Sequence, residues 1–307
     1  MRSKYIVGTR GSALATRQAE LIRADLAARY ATVGWETVSI ASSADRQPDA
    51  PLAALSREGV FVKELEQALL RGEIDLAVHS LTDMPLTGSP DPLMIGAIPE
   101  RVAPYDALVS RTGATLDRLP RGARLGSSSL RRHSQLLHLR PDLVMVPIRG
   151  NVDTRLKKIE TEQLDGVVIA AAGLIRLELH DRISELLQQL IPEPGQGALA
   201  VQIRREDRGL RELVAALEHA PTRLAVEAER SLLAALGGGC RVPIGALADV
   251  HGETLRLQGV VASPDGTRLV RAELSGPARD GIALGQRLAA QLITLGAQDI
   301  LAGRAKL

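Results

Sequence analysis

The chain carries a single cysteine in 307 residues, Cys240, so no intrachain disulfide can form. It lacks a dominant charge: 38 Lys and Arg stand against 36 Asp and Glu, a net +2 that supplies no global basic field for nucleic acid. Long hydrophobic runs are missing too. The longest aliphatic stretch, "GVVIAAAGLI" at 166–175, is about half of the roughly 20 apolar residues a membrane span needs. The start, "MRSKYIVGTRGSALATR", has no uninterrupted apolar core of the signal-peptide kind, so the cytoplasm is the expected compartment. Its six histidines and the cysteine show no zinc-type spacing, which predicts no metal site. No Gly-rich phosphate loop or dinucleotide fingerprint occurs, and no histidine near Cys240 makes it a hydrolytic nucleophile.

What is present is an ordinary globular composition, 45% hydrophobic and 24% charged, in a chain longer than one core usually supports. Residues 4–100 alternate apolar runs with helical patterns. "KYIVG" precedes "ALATRQAELIRADLAARY", where Leu14, Gln18, Leu21, Ile22 and Leu26 share helical spacing. "ETVSIA", the helix "VKELEQALLRG" and the strand "IDLAVHS" follow, and the alternation predicts a parallel sheet covered by helices. From about Tyr105 a second unit repeats this character, with "DALVS", "ARLGSSS", "DLVMVPIRG" and "GVVIAAAG" as strands and "LRRHSQLLHLR" and "VDTRLKKIETE" as helices.

"IPEPGQGALAVQI" reads as a return crossing into the first sheet. Two α/β lobes with a cleft between them are then expected: 1–99 with 198–217, and 100–197, with 42–60 as a loop covering the cleft. The remainder, 218–307, differs. A helix begins with Pro221 in its first turn and stops at the glycines after Leu236; "TLRLQGVVA" and "TRLVRAELS" flank the turn "SPDG", and a helix closes the chain. This is a small α+β domain.

Four segments share one grammar of strand, short polar loop and helix, and they carry Arg10 with Ser12, Arg131 with Arg132, Arg149 with Arg155, and Arg176. Ligands of open α/β sheets gather beyond the carboxyl ends of strands, where helix N-termini favour anions. Arginine adds a planar fork that fits a carboxylate or phosphate. Six such arginines point to a polyanionic ligand. Each taken singly reads as a solvated surface residue or a surface ion pair. The serines of "GSSS" are equally helix caps, and Asp83, in "DLAVHSLTDMP", a turn residue or a cleft-floor carboxylate. His79 reads as a packed, hydrogen-bonded histidine. Cys240 alone reads as a small buried hydrophobe, although Gly237, Gly238 and Gly239 would let something bulky approach it.

Taken together, "GTRGSALA", "GVFVKELEQALL", "DLAVHSLTDMP", "GSSSLRR", "IRGNVDTRL", "AAAGLIRL", "PGQGALAV" and "GGGCRVPIG", in this order, resemble the porphobilinogen deaminase (hydroxymethylbilane synthase) family. The resemblance implies two lobes like those of periplasmic solute-binding proteins around a central cleft, plus a third domain whose cysteine, Cys240, holds a dipyrromethane through a thioether. It implies a transferase that adds porphobilinogen units to this primer, releases ammonia at each addition, and hydrolyses off a linear tetrapyrrole. Asp83 would be the catalytic carboxylate. Arg131, Arg132, Ser128 and Ser129 would hold the cofactor, and Arg10, Ser12, Arg149, Arg155, Arg176, Gln18, Ser80 and Gln196 the substrate and oligopyrroles. Phe61 matches the family's active-site lid and is equally a core residue.

Several positions depart from the family's common residues: Thr82, Ala54 and Glu58 stand where lysine is frequent, "SSAD" at 42–45 replaces an Arg-Gly-Asp pattern, and Gln202 replaces glutamate. An active enzyme with altered substrate capture is expected. A paralogue impaired or changed in product length, and a two-lobe module that only binds a small anion, are the alternatives. A monomer with no nucleic-acid or membrane partner completes the expectation.

Overall fold

The computed structural model describes residues 2–41, 62–86, 88–238 and 242–303. The 42–60 loop, Phe61 and Cys240 lie outside the described residues. In chain order the first elements are β1 (Lys4–Arg10), α1 (Ala13–Arg29), β2 (Gly34–Ile40), α2 (Lys63–Leu70), β3 (Leu76–Ser80) and β4 (Leu93–Ala97). Next come β5 (Asp106–Ser110), β6 (Arg124–Gly126), α3 (Leu130–Leu139), β7 (Val144–Val146), α4 (Val152–Thr161), β8 (Gly166–Ala170), α5 (Ala171–Arg176) and β9 (Glu185–Leu187). The last are β10 (Leu199–Arg204), α6 (Arg208–Ala215), α7 (Ala220–Ala235), β11 (Ile244–His251), β12 (Thr254–Ala262), β13 (Leu269–Pro277), α8 (Gly281–Thr294) and α9 (Ala297–Gly303).

The chain divides into two compact units, 1–101 with 198–223 and 102–197 with 224–307. In the first, the sheet order is β2-β1-β3-β10-β4. Val7, Leu76 and Val201 pack one face against Ile22 and Leu26 of α1 and Leu210 and Leu213 of α6. Leu65 and Leu69 of α2 cover the other face with Ile74, Ala77 and Leu93. The inward stripe of α1 is Gln18, Ala19, Ile22 and Leu26. Leu21, assigned to that stripe from spacing, is exposed instead. Ala19 is buried on that stripe in its place.

The second unit has a sheet of the same design, β7-β6-β8-β5-β9, and a separate antiparallel sheet, β11-β12-β13. Ala228 and Leu232 of α7, Leu284, Leu288 and Leu292 of α8 and Ile300 of α9 cover this smaller sheet on Ala246, Leu257 and Val261. The mixed α/β architecture with a small C-terminal sheet and its helices therefore stands.

Neither large sheet is wholly parallel, as alternation alone predicted. β1 runs parallel to β2 and β3, but β10 is antiparallel to β3 and β4. Likewise β6 is parallel to β7 and β8, while β5 is antiparallel to β8 and β9. A helical crossover obliges the next strand to run parallel; β5 and β10 are each entered by a connection without a helix, which imposes no such sense. These segments meet where Val102 N–H donates to Gly197 O at 3.2 Å. A side chain on Gly197, at φ +85°, would collide with the Val102 carbonyl oxygen. "GVVIAAAG" is also strand only over 166–170, since the chain turns helical at Ala171, where alanines favour helix.

Candidate active site

Two clusters of the expected residues form, one in each unit. In the first, Arg10 ends β1, and Ser12 caps α1 by accepting from Ala15 N–H at 3.2 Å. The parallel strand β3 ends at Ser80, and a single 3₁₀ turn, Leu81–Asp83, carries the chain past the sheet edge. Leu81 N–H donates to Ala198 O at 3.0 Å and secures this turn. Strand and turn together place Asp83 Oδ2 3.5 Å from Arg10 Nη1, with the carboxylate side chain 30% exposed. Beneath them the Gln18 side-chain amide donates to Ser80 Oγ at 3.0 Å, tying α1 to the end of β3.

His79 is buried and lies 3.1 Å from Gln202 Oε1 through Nε2. Burial pushes its pKa down to about 4, the nearby Arg10 adds to the drop, and the Gln202 hydrogen bond only partly opposes it. At neutral pH the ring is uncharged. Gln202 in turn donates to Glu66 Oε1 and Ser89 Oγ, each at 2.9 Å. Burial raises the Glu66 carboxyl, and the Gln202 bond tempers that rise. The expected hydrogen-bonded histidine is therefore realised, with Gln202 as its partner.

The second cluster is built at the start of α3. Ser129 caps the helix, its Oγ accepting from Arg132 N–H at 3.4 Å, and Ser128 Oγ donates to Ile148 O at 2.6 Å. Arg131 and Arg132 then turn inward onto Asp106, the first residue of β5. Arg131 donates from Nη1 to Oδ2 at 2.7 Å and from Nη2 to Oδ1 at 3.1 Å; Arg132 donates from Nε to Oδ1 at 2.8 Å. Burial alone would raise the Asp106 pKa, but the two guanidinium groups outweigh it and hold the carboxyl well below the usual range. Gln196 completes the set. Its Nε2 donates to Pro104 O at 2.6 Å and to Asp106 Oδ1 at 3.1 Å, while its Oε1 lies 3.4–3.5 Å from both arginines.

Charge does not cancel there. One carboxylate meets two buried guanidinium groups, and burial raises the carboxyl of neighbouring Glu193 toward its neutral form. Arg155, which donates to Gly150 O at 2.8 Å, has its pKa lowered to about 10 by burial and then by repulsion from Arg132 and Arg149. Arg176 donates to Gly197 O at 2.8 Å, and burial lowers it to about 10. Cations held near one another in a low dielectric attract anions strongly. The buried Nε of Arg131 has no hydrogen-bond partner among the described residues. These side chains fit a group bearing several carboxylates, such as a dipyrromethane with its acetates and propionates.

Two sequence descriptions match this chain: "Porphobilinogen deaminase, dipyromethane cofactor binding domain" over residues 5–212, and "Porphobilinogen deaminase, C-terminal domain" over residues 223–294. The porphobilinogen deaminase of Desulforudis audaxviator (strain MP104C) is 49% identical over 304 residues, 98% of each chain. The chain belongs to the porphobilinogen deaminase family. Another relative, the porphobilinogen deaminase of Roseiflexus castenholzii (strain DSM 13941 / HLO8), is 47% identical over 305 residues, 99% of this chain and 100% of the relative. Among solved structures, the periplasmic aliphatic sulphonate binding protein SsuA from Escherichia coli is similar at a TM-score of 0.40 and 16% identity, over 76% of this chain and 70% of that one.

For this porphobilinogen deaminase family member, reading the sequence alone missed Asp106. The available signal is an acid heading the otherwise apolar strand "DALVS", since a buried carboxylate requires a cationic partner. The described residues hold no helix long and apolar enough to cross a membrane and no group of three or more His, Cys, Asp or Glu arranged to hold a metal ion.

Proposed function

We propose that this chain condenses four porphobilinogen molecules, losing one ammonia at each addition, onto a dipyrromethane on Cys240, and releases hydroxymethylbilane. The surplus guanidinium charge around Arg132, Arg149 and Arg155 carries this reading, because every pyrrole added brings an acetate and a propionate. Arg131 and Arg132 would hold cofactor carboxylates. Arg10, Arg149, Arg155 and Arg176 would hold those of the substrate and growing chain. Gln18 and Ser80 support the end of β3, and Gln196 sets the fork angles of Arg131 and Arg132. Ser12 and Ser129 act as caps that present helix N-termini, and Ser128 steadies the loop before α3. When bound, the dipyrromethane supplies the pyrrole carbon to which the first unit is joined.

Asp83 is the reacting carboxylate. The aminomethyl group of porphobilinogen is protonated at neutral pH, as alkyl amines are, so its nitrogen leaves as ammonia with the electron pair of the broken C–N bond. Positive charge then develops on the pyrrole. The Asp83 carboxylate, 3.5 Å from Arg10, stabilises that charge, accepts a hydrogen bond from the pyrrole N–H, and takes the proton displaced when the new C–C bond forms. A preorganised group of this kind contributes about 3–4 kcal/mol.

Phe61 is taken as the lid residue, and 1–99 with 198–217, 100–197 and 218–307 as the working domains, which limited proteolysis tests. The working form is taken as a cytoplasmic monomer, tested by sedimentation and fractionation. The deciding experiment is intact mass with peptide mapping on protein from a host that makes porphobilinogen. Two added pyrrole units on the Cys240 peptide are expected. An unmodified Cys240 that remains so after incubation with porphobilinogen would sink the primer assignment.

A further inference from the structure

Glu229 lies on α7, fully buried, and the chemistry above makes no use of it. Its Oε2 accepts from Gly195 N–H at 2.7 Å and its Oε1 from Ala248 N–H at 2.8 Å. Ala248 belongs to β11, which among the described residues lies at the edge of the small sheet. Ala246 N–H, two residues earlier on the same side of the strand, bonds Pro192 O at 2.9 Å. The segment 191–195 is thus laid along the edge of the small sheet. Its beginning is tied to α3, where Ile191 N–H donates to Gln135 Oε1 at 2.8 Å and Ile191 O accepts from Arg131 Nη1 at 3.0 Å. Immediately after Gly195 comes Gln196, whose amide bridges Asp106, Arg131 and Arg132.

We propose that Glu229 is a positioning residue for the guanidinium pocket: by clamping Gly195 to β11 it fixes where Gln196 meets Arg131 and Arg132, and so sets their fork angles for the ligand's carboxylates. A carboxylate can accept both N–H bonds at once with charge assistance. Glutamine at this position would turn an N–H₂ group toward one of the two donors. The proposal rests on the reading of Arg131 and Arg132 as carboxylate-holding groups.

The test compares wild type, Glu229→Gln, Gln196→Ala, the double variant and Arg132→Ala as full-length protein. Amide exchange followed by mass spectrometry reads the peptide 192–198 against the control peptide 284–292. Faster exchange of 192–198 with the control unchanged is expected in Glu229→Gln, together with a rate of dipyrromethane loading onto the cofactor-free protein, read by intact mass during incubation with porphobilinogen, lowered about 5- to 10-fold. In the Gln196→Ala background, Glu229→Gln should add nothing further to the loading defect. Unchanged exchange in 192–198, or loading defects that multiply independently, overturns the coupling. Normal loading in Arg132→Ala overturns the pocket reading instead, and the exchange result separates the two failures. Should Glu229→Gln not yield soluble protein, Glu229→Asp, charged but one methylene short of reaching both donors, is read by the same comparison.

Discussion

Asp83 and Asp106 are both aspartates beside arginines at the sheet end of an α/β unit, yet their surroundings make them opposites. Asp83 contacts Arg10 at 3.5 Å and keeps 30% of its side chain exposed; Asp106 has none exposed and is gripped by two arginines and a glutamine. One carboxylate is accessible to a reacting molecule. The other is a counterion that lets two guanidinium groups sit in a low dielectric without destroying the fold. A carboxylate beside an arginine is therefore not a role in itself, and burial with bond count decides which role it takes.

The sharpest way to break this comparison is to remove each carboxylate in turn. Asp83→Ala should lower turnover by roughly 10²–10⁴ while costing less stability than Asp106→Ala, because Asp83 is 30% exposed and its contact with Arg10 is long. Ammonia release and differential scanning calorimetry read the two halves; near-normal turnover would take Asp83 out of the chemistry. Asp106→Ala should instead cost about 3–5 kcal/mol of stability, since it leaves two buried cations with no carboxylate. Denaturant unfolding checks this, and an unaltered midpoint would mean that solvent reaches the pair.

The next effect distinguishes the units by pH. His79 has a folded-state pKa of about 4 against 6.5 for the ordinary histidine, so the unfolded chain binds the extra proton between these values. Stability therefore rises with pH through that window and is lost as pH falls from 6.5 toward 4, by at most about 3 kcal/mol. His79→Gln should flatten this limb of a plot of thermal midpoint against pH. A limb of unchanged slope would assign the acid sensitivity elsewhere. The smallest expected effect belongs to Ser129→Ala, which deletes a helix cap and should cost about 1 kcal/mol in denaturant unfolding. A markedly larger loss would show that the hydroxyl does more than cap.

Much of this was legible because strand, polar loop and helix are local features. Arg10 is the last residue of β1; Asp83, Arg131 and Arg149 fall in loops or turns that follow short strands or in the first turn of the next helix, and the segments that carry them read directly from hydropathy. Short elements were harder. β9 has three residues and β4 five, too few for a period to stand out, and β11 begins shortly after the glycine-rich stretch of the sequence. Serines offered both meanings, and the structure makes Ser12 and Ser129 caps, which a hydroxyl before a helix permits but does not require.

The sequence by itself determined the α/β alternation, the arginine-bearing loops, the isolated cysteine behind three glycines, and the ordered motifs of the family, because each is written in neighbouring residues. Only the tertiary structure decided that β5 and β10 run against their neighbours, that Asp106 answers arginines 25 and 26 residues away, and that Glu229 reaches Gly195. Those contacts join distant positions, and their strength comes from burial, a property of the packed chain that no local pattern of residues contains.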